Sequence, residues 1–250
     1  MKFLFTLIFI LNFLPLFSQK AEITSTLLNP RRFELGIVIA PGISYRTLIN
    51  HDTSSAGPAI IGVRNDIEKP KVSYKTGISL RYAFSEKTGL TTGIYYAHRG
   101  FKQKARNAFW PSRDTTGIFD PTSSSTVKSS YNFSSIEIPF LFDYTFHKAK
   151  FSYSVGIGGS FNYLLGATFS YKITEDNGKI QQATSTDTGP YHYINVSMLL
   201  KAGVSYSLNE NSSIHLDPTF QYDMTPWHDS VLVKEHLLNF GLHIGYFRAL

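Results

Sequence analysis

The stretch IEIPFLFDYTF, residues 136–146, carries an Ile, Phe or Tyr at every even-numbered position. The odd-numbered positions include Glu137, Asp143 and Thr145. A repeat of two residues is typical of a β-strand, because successive side chains point to opposite faces. A large aromatic face opposite a face with carboxylates fits a strand that contacts lipid on one side and a polar interior on the other. This stretch therefore predicts a membrane-spanning strand of a β-barrel.

Seven further stretches alternate in the same way, and the connections between them are short and long in turn. The predicted strands are 33–48, 71–85, 89–102, 128–146, 151–173, 191–208, 213–222 and 236–248. The short connections are 85–88, 147–149 and 209–212, and the long ones are 49–70, 103–127, 174–190 and 223–235. We predict an all-β fold, an eight-stranded antiparallel transmembrane β-barrel with short periplasmic turns and long extracellular loops.

Aromatic residues gather near both ends of the predicted strands, as expected for girdles at the two membrane interfaces. Those near the short turns are Tyr82, Phe84, Tyr144, Phe146, Phe151, Tyr153, Tyr206 and Tyr246. Those toward the long loops are Tyr45, Tyr74, Tyr96, Phe161, Tyr163, Phe220 and Tyr222. Three prolines, Pro41, Pro139 and Pro218, fall inside strands. Since proline removes a ladder hydrogen bond, we expect bulges or bends at these positions.

The N-terminus has the features of a secretory signal. Lys2 precedes an apolar run from Phe3 to Leu14, and Ser18 offers a small residue for cleavage. We expect residues 1–18 to be a signal peptide, 19–32 a polar leader and 33–250 the barrel. The formal net charge of +6 is spread along the chain, which argues against nucleic acid as a partner. The chain has no cysteine, which excludes disulfides.

Charged residues on the predicted inner face form the first candidate site. They are Glu34, Arg46, Lys75, Arg81, Arg99, Glu137, Asp143, Lys201 and Asp217. Side chains fill the interior of an eight-stranded barrel, so we expect an ion-paired, plugged lumen, with Arg99 and Glu137 paired across adjacent strands. The alternative is a narrow pore or a small-ligand site.

Two other kinds of site are weaker candidates. His215 and His243 are expected to oppose one another across the last two strands, with Asp217 nearby, which would suit a transition metal. An enzyme that modifies lipid A would need a nucleophile and a base near the outer leaflet. His98 and His192 lie near that rim, but no spacing indicates a triad. We therefore expect no catalytic residues, metal or cofactor.

The segment from Ser134 to Phe142 contains Ile136-Glu137-Ile138-Pro139. It resembles the Y-[IL]-E-[IL]-P-L-L motif of the PorT-type outer-membrane β-barrel family of Bacteroidetes, with Ser135 where an aromatic residue is common. The resemblance implies an outer-membrane location and, from the family's founding member, an accessory role in type IX secretion. The final strand, Asn239 to Phe247, resembles the signal read by the barrel-assembly machinery.

The expected function is therefore non-enzymatic: structural, secretion-accessory or surface-binding, in contact with outer-membrane lipid and possible envelope proteins. Two alternatives stay open at this point. One is a lipid A-modifying enzyme, and the other is a secreted lipocalin-like barrel that holds an apolar ligand.

Overall fold

The computed structural model describes residues 33–51, 56–109, 112–113, 119–120, 124–147, 150–175, 178–229 and 232–250. The expected signal peptide and leader lie outside these residues, as do Trp110 and residues 148–149 of one predicted turn. The strands are β1 (Phe33–Asn50), β2 (Glu68–Ala83), β3 (Thr88–Gln103), β4 (Arg106–Phe109), β5 (Ser112–Arg113), β6 (Phe119–Asp120), β7 (Ser124–His147), β8 (Phe151–Glu175), β9 (Ile180–Thr186), β10 (Ile194–Asn209), β11 (Ser212–Asp223), β12 (His228–Asp229) and β13 (Val233–Ala249). One α-helix is described, α1 (Ala56–Ile67). In these ranges no helix has the length and hydropathy needed to cross a membrane.

Eight long strands pair in a closed antiparallel ring. The order is β1, β2, β3, β7, β8, β10, β11 and β13, and β13 pairs with β1 to close it. Each of these strands corresponds to one predicted stretch, so the predicted eight-stranded barrel is confirmed. Closure allows the backbone N–H and C=O groups on both edges of every spanning strand to pair with a neighbouring strand. A sheet can exist in lipid only under this condition.

The alternation of side chains matches a barrel with an apolar outside. Ile37, Ile78 and Ile157 on the outer wall are 67%, 57% and 59% exposed. Ser44, Ser79 and other polar residues of the inner face are buried. An apolar band around the whole wall would be unfavourable in water, so this surface is suited to a bilayer.

Bulges or bends were expected at the three strand prolines, and the strand pairing shows no bulge at any of them. Each proline keeps the register and instead leaves a two-residue gap in the pairing with one neighbour. The gaps are at Pro41 toward β13, Pro139 toward β3 and Pro218 toward β10. The missing N–H costs a local ladder bond, and the long pairings on both sides hold the register.

The long connections are more structured than predicted. The segment 49–70 contains α1, whose Pro58 lies in the first turn, where a missing N–H is tolerated. The segment 103–127 contains β4, β5 and β6. In 174–190, β9 folds back on the extended end of β8. The barrel wall therefore continues beyond the apolar band at the long-loop end.

Candidate functional site

A layer of buried charges crosses the middle of the barrel. Lys75 Nζ lies 2.5 Å from Glu137 Oε2, and Arg99 Nη2 lies 3.0 Å from Glu137 Oε1. Arg99 Nη1 also lies 3.0 Å from Asp223 Oδ1. Arg99 and Glu137 are 2% and 1% exposed. Gln221 connects this layer to Ser197 by a 3.0 Å hydrogen bond. These residues form what we call the ion layer: Lys75, Arg99, Glu137 and Asp223.

A second set of charges lies nearer the short-turn end. Lys201 Nζ is 2.7 Å from Asp143 Oδ1 and 3.9 Å from Asp217 Oδ2. The Thr91 hydroxyl donates a hydrogen bond to Asp143. The pair Arg81–Glu34 (3.5 Å), close to the short turns, is partly exposed. The structure thus places all nine candidate lumen residues on the inner face. Arg46 belongs to a separate cluster, in which it pairs with Glu68.

An apolar plug covers the ion layer at the long-loop end. It consists of Phe101, Phe133, Leu164, Ala167, Trp227 and Leu237. Trp227 packs against Phe133, with ring centroids 5.7 Å apart, and its indole N–H donates to Asp223. Trp227 belongs to the long connection predicted at 223–235. Its burial depends on the return of 223–235 into the barrel, which no local pattern shows.

Two arginines and two glutamates form a network above the plug. Arg46 Nε lies 2.5 Å from Glu68 Oε2. Arg64, supplied by α1, lies 2.7 Å from Glu68 Oε1 and 2.6 Å from Glu235 Oε2. Burial alone would lower the pKa of the Arg64 guanidinium, but its hydrogen bond to Glu68 and the charge of Glu235 raise it overall. Sequence reasoning missed Glu68, Arg64 and Glu235, since all three fell in predicted loops. The two-residue repeat of β2 places Ser73 and Lys75 inward, so extending it backward would put Glu68 on the outer face. Glu68 lies inside because the pairing of β2 with β3 is irregular between Pro70 and Tyr74, which the sequence did not show.

A cleft of about 300 Å³ opens beside this network. Its lining residues are Arg64, Ile67, Glu68, Phe101, Gln103, Tyr131, Phe133, Tyr191, His228 and Glu235. Phe101 stacks on Tyr131 at 4.9 Å, and Tyr191 meets Phe133 edge-on at 5.4 Å. The Tyr191 hydroxyl donates to Asp187 Oδ2 at 2.6 Å. Burial, followed by this hydrogen bond, raises the pKa of Tyr191. A concave site with rigid aromatic walls and a few fixed polar groups has the features of a small-ligand pocket.

The weaker metal candidate, His215, Asp217 and His243, does not form a metal cluster. His215 lies opposite Gly245, and His243 lies opposite Asp217. The two histidines are therefore offset by two residues along the strands and are not direct cross-strand partners. His215 packs on Phe247 at 4.4 Å, and His243 faces Tyr95 at 6.1 Å. Among the described residues, no group of three His, Cys, Asp or Glu could hold a metal ion. The expectation that these histidines oppose one another was wrong because the register was not readable from the sequence.

The two rim histidines lie in different surroundings. His98 lies on the outer wall, with Nδ1 3.2 Å from Ser134 Oγ and its ring stacked on Tyr74. The backbone N–H of His192 donates to the Trp227 carbonyl near the plug.

An antiparallel ring of eight strands with an apolar outer wall and a charged, buried interior defines an outer-membrane-type β-barrel. The model of the outer membrane protein beta-barrel domain family matches residues 17–226. The chain therefore belongs to this family, and it is located in the outer membrane, with the short turns periplasmic and the long loops extracellular.

Solved structures similar to the chain are also barrels. Neisserial surface protein A is 14% identical, with 87% of this chain and 97% of that chain covered and a TM-score of 0.39. OprG from Pseudomonas aeruginosa is 10% identical, with 87% of this chain and 96% of that chain covered and a TM-score of 0.41. The outer membrane protease OmpT from Escherichia coli is 11% identical, with 92% of this chain and 99% of that chain covered and a TM-score of 0.35. No curated protein matches significantly. These low TM-scores carry no argument about function, so the assignment depends on the family match.

Proposed function

We propose that the protein is a non-enzymatic outer-membrane barrel with a closed lumen that acts by binding a partner at its extracellular end. The ion layer is the observation that carries this proposal. Its side chains and the plug above it are almost fully buried, and an eight-stranded barrel leaves little interior space beyond its side chains. Within the part of the chain that the structure describes, a solute crossing this section would have to disrupt several buried ion pairs.

The extracellular cleft supports a binding role better than a purely structural one. Its aromatic walls are held by ring contacts and its charges by Arg64, Glu68 and Glu235, so the shape is already formed without a ligand. Binding to a preformed site avoids most of the cost of ordering side chains. The network of Arg46, Arg64, Glu68 and Glu235 has no net charge, which favours a partner recognised by stacking and hydrogen bonds.

Planar-bilayer recordings test the closed lumen. The reconstituted chain should show no stepwise conductance, whereas a general-diffusion porin in the same bilayer should. Reproducible unitary currents would overturn this part of the proposal. Mass spectrometry of lipid A from a deletion strain tests the non-enzymatic role, and a lipid A species that depends on the gene would contradict it.

In-cell crosslinking tests the binding role. A photoreactive amino acid in place of Tyr191, in the cleft wall, should give a specific adduct, while the same probe in place of Tyr246, near the periplasmic turns, should not give that adduct. Adducts with secretion-machinery subunits would support the accessory role that the PorT resemblance suggests. Absence of a reproducible Tyr191 adduct would contradict a binding function for the cleft.

A further inference from the structure

Four exposed lysines lie on the outer wall of four adjacent strands above the apolar band. Lys69 of β2 is paired directly with Lys102 of β3, and Lys128 of β7 is paired directly with Lys172 of β8. Because Lys102 also pairs with Ser130 of β7, the two lysine pairs belong to one continuous patch. We call these four residues the lysine belt.

The belt is unfavourable for the isolated barrel. Residues directly opposite in an antiparallel pair lie about 4.5–5.5 Å apart at Cα, and like charges in that position repel. Within the ranges that the structure describes, none of the four lysines takes part in an ion pair. By contrast, the inner-face lysines Lys75 and Lys201 both have carboxylate partners. An external anion would supply the charge compensation that the belt lacks.

Neutral hydrogen-bonding groups continue the patch sideways. Lys172 lies opposite Gln182 of β9, and Ser130 lies opposite Ser170. The Ser170 and Thr184 hydroxyls are 2.9 Å apart. Ammonium groups interspersed with hydroxyls are suited to phosphate oxygens, which accept several charge-assisted hydrogen bonds at once.

The height of the belt decides which phosphates it meets. Ile136 is paired with Tyr96 on one side and with Tyr163 on the other. The two tyrosines therefore lie at the same level of the wall, and they mark the extracellular aromatic girdle. Lys102 is six residues further along β3 than Tyr96. At about 3.3 Å per residue and a tilt of about 40°, that separation is about 15 Å along the membrane normal. The headgroup layer of a phospholipid is only about 5–8 Å deep on each side, so it ends below the belt.

We propose that the lysine belt binds phosphate groups on the saccharide headgroup of a glycolipid in the outer leaflet. A phosphorylated sugar headgroup projects far enough from the bilayer to reach Lys102 and Lys128, and a multivalent anion compensates both lysine pairs together. This site is separate from the cleft and does not depend on the cleft having a partner.

Titration of the purified full-length chain with lipopolysaccharide bearing a phosphorylated core tests the proposal. The double variant Lys102→Gln/Lys128→Gln should bind at least tenfold more weakly than the natural chain. The matched control Lys87→Gln/Lys150→Gln, which removes the same charge at the periplasmic end, should change affinity less than twofold. Equal effects of the two double variants would overturn the assignment of the site.

Three further probes identify the source of the phosphate. Phosphatase-treated lipopolysaccharide, phosphatidylglycerol vesicles and soluble polyphosphate should each bind at least tenfold more weakly than the intact glycolipid. If the dephosphorylated lipid binds as tightly as the intact glycolipid, phosphate is not the group recognised. If phosphatidylglycerol binds as tightly, the belt does not lie above the phospholipid headgroups. If polyphosphate binds as tightly, the phosphate need not belong to a lipid.

The shift in gel mobility on heating measures the unfolding temperature of each variant. This measurement checks that the variants fold and provides a second readout. Without glycolipid, the belt variant should unfold at a higher temperature than the natural chain because its like-charge repulsion is reduced. With glycolipid, the natural chain should become the more stable of the two. If the order of stabilities is unchanged by the glycolipid, the proposal fails.

Discussion

The guanidinium carbon of Arg99 lies 5.4 Å from the ring centroid of Trp227, and both side chains are fully buried. Both also contact Asp223, Arg99 through an ion pair and Trp227 through its indole N–H. Through this cation–π contact the ion layer and the apolar plug form one unit. The closure of the lumen therefore depends on a loop residue and a strand residue that are far apart in the chain.

Substitution Trp227→Ala should lower the free energy of unfolding by about 3–5 kcal/mol, because a fully buried indole leaves a cavity and an unpaired Asp223 oxygen. Urea unfolding in detergent measures this loss, and Trp227→Phe, which keeps a ring, should cost less. Both variants should remain non-conducting, since the pairs of Lys75, Glu137 and Arg99 still close the section below. Conductance by Trp227→Ala would show that the plug alone closes the lumen.

Substitution Glu137→Gln should lower the free energy of unfolding by about 3–5 kcal/mol, because it leaves the Lys75 and Arg99 charges facing a neutral amide in the interior. The control Glu34→Gln removes a carboxylate from the partly exposed pair with Arg81. That change should cost only about 0–1 kcal/mol. Similar costs for the two variants would contradict the burial of the ion layer.

Substitution Gly156→Ala should destabilise the barrel by about 1–3 kcal/mol. An added Cβ would lie 2.5 Å from Asp143 Oδ1 and 3.2 Å from Lys201 Cε, and so would disturb that ion pair. Gly166 of the same strand has no atom within 4 Å of such a Cβ, so Gly166→Ala should be nearly neutral. Thermal shifts measured in parallel would expose any general intolerance of β8 to alanine.

Stability should fall as pH rises above about 10, the ordinary pKa of tyrosine, and Tyr191 contributes to that fall. Burial and the hydrogen bond to Asp187 raise the pKa of Tyr191 in the folded chain, so the folded state keeps a proton that the unfolded state loses. The stabilisation is therefore complete below pH 10 and lost above it. Unfolding midpoints from pH 8 to 11 should depend less on pH in Tyr191→Phe than in the control Tyr171→Phe. Identical slopes would contradict this assignment.

Most of the barrel could be predicted from the sequence because lipid and a packed interior each require one kind of side chain at every second position. The strand from Ile136 to Phe146 and its seven counterparts were identified on that basis, as was the inner placement of charges such as Lys75 and Asp143. The helix α1 was missed because the Gly, Ser, Asp and Asn residues around it favoured a loop.

The sequence by itself determined the number of membrane-spanning strands, the two faces of the wall and the membrane that surrounds it, because these depend on a local repeat. Only the tertiary structure decided the register between strands. It separated His215 from His243, paired Lys69 with Lys102, and brought Trp227 over Arg99. A shift of two residues between neighbouring strands leaves every side chain on its own face, so the alternation alone cannot specify which residues meet.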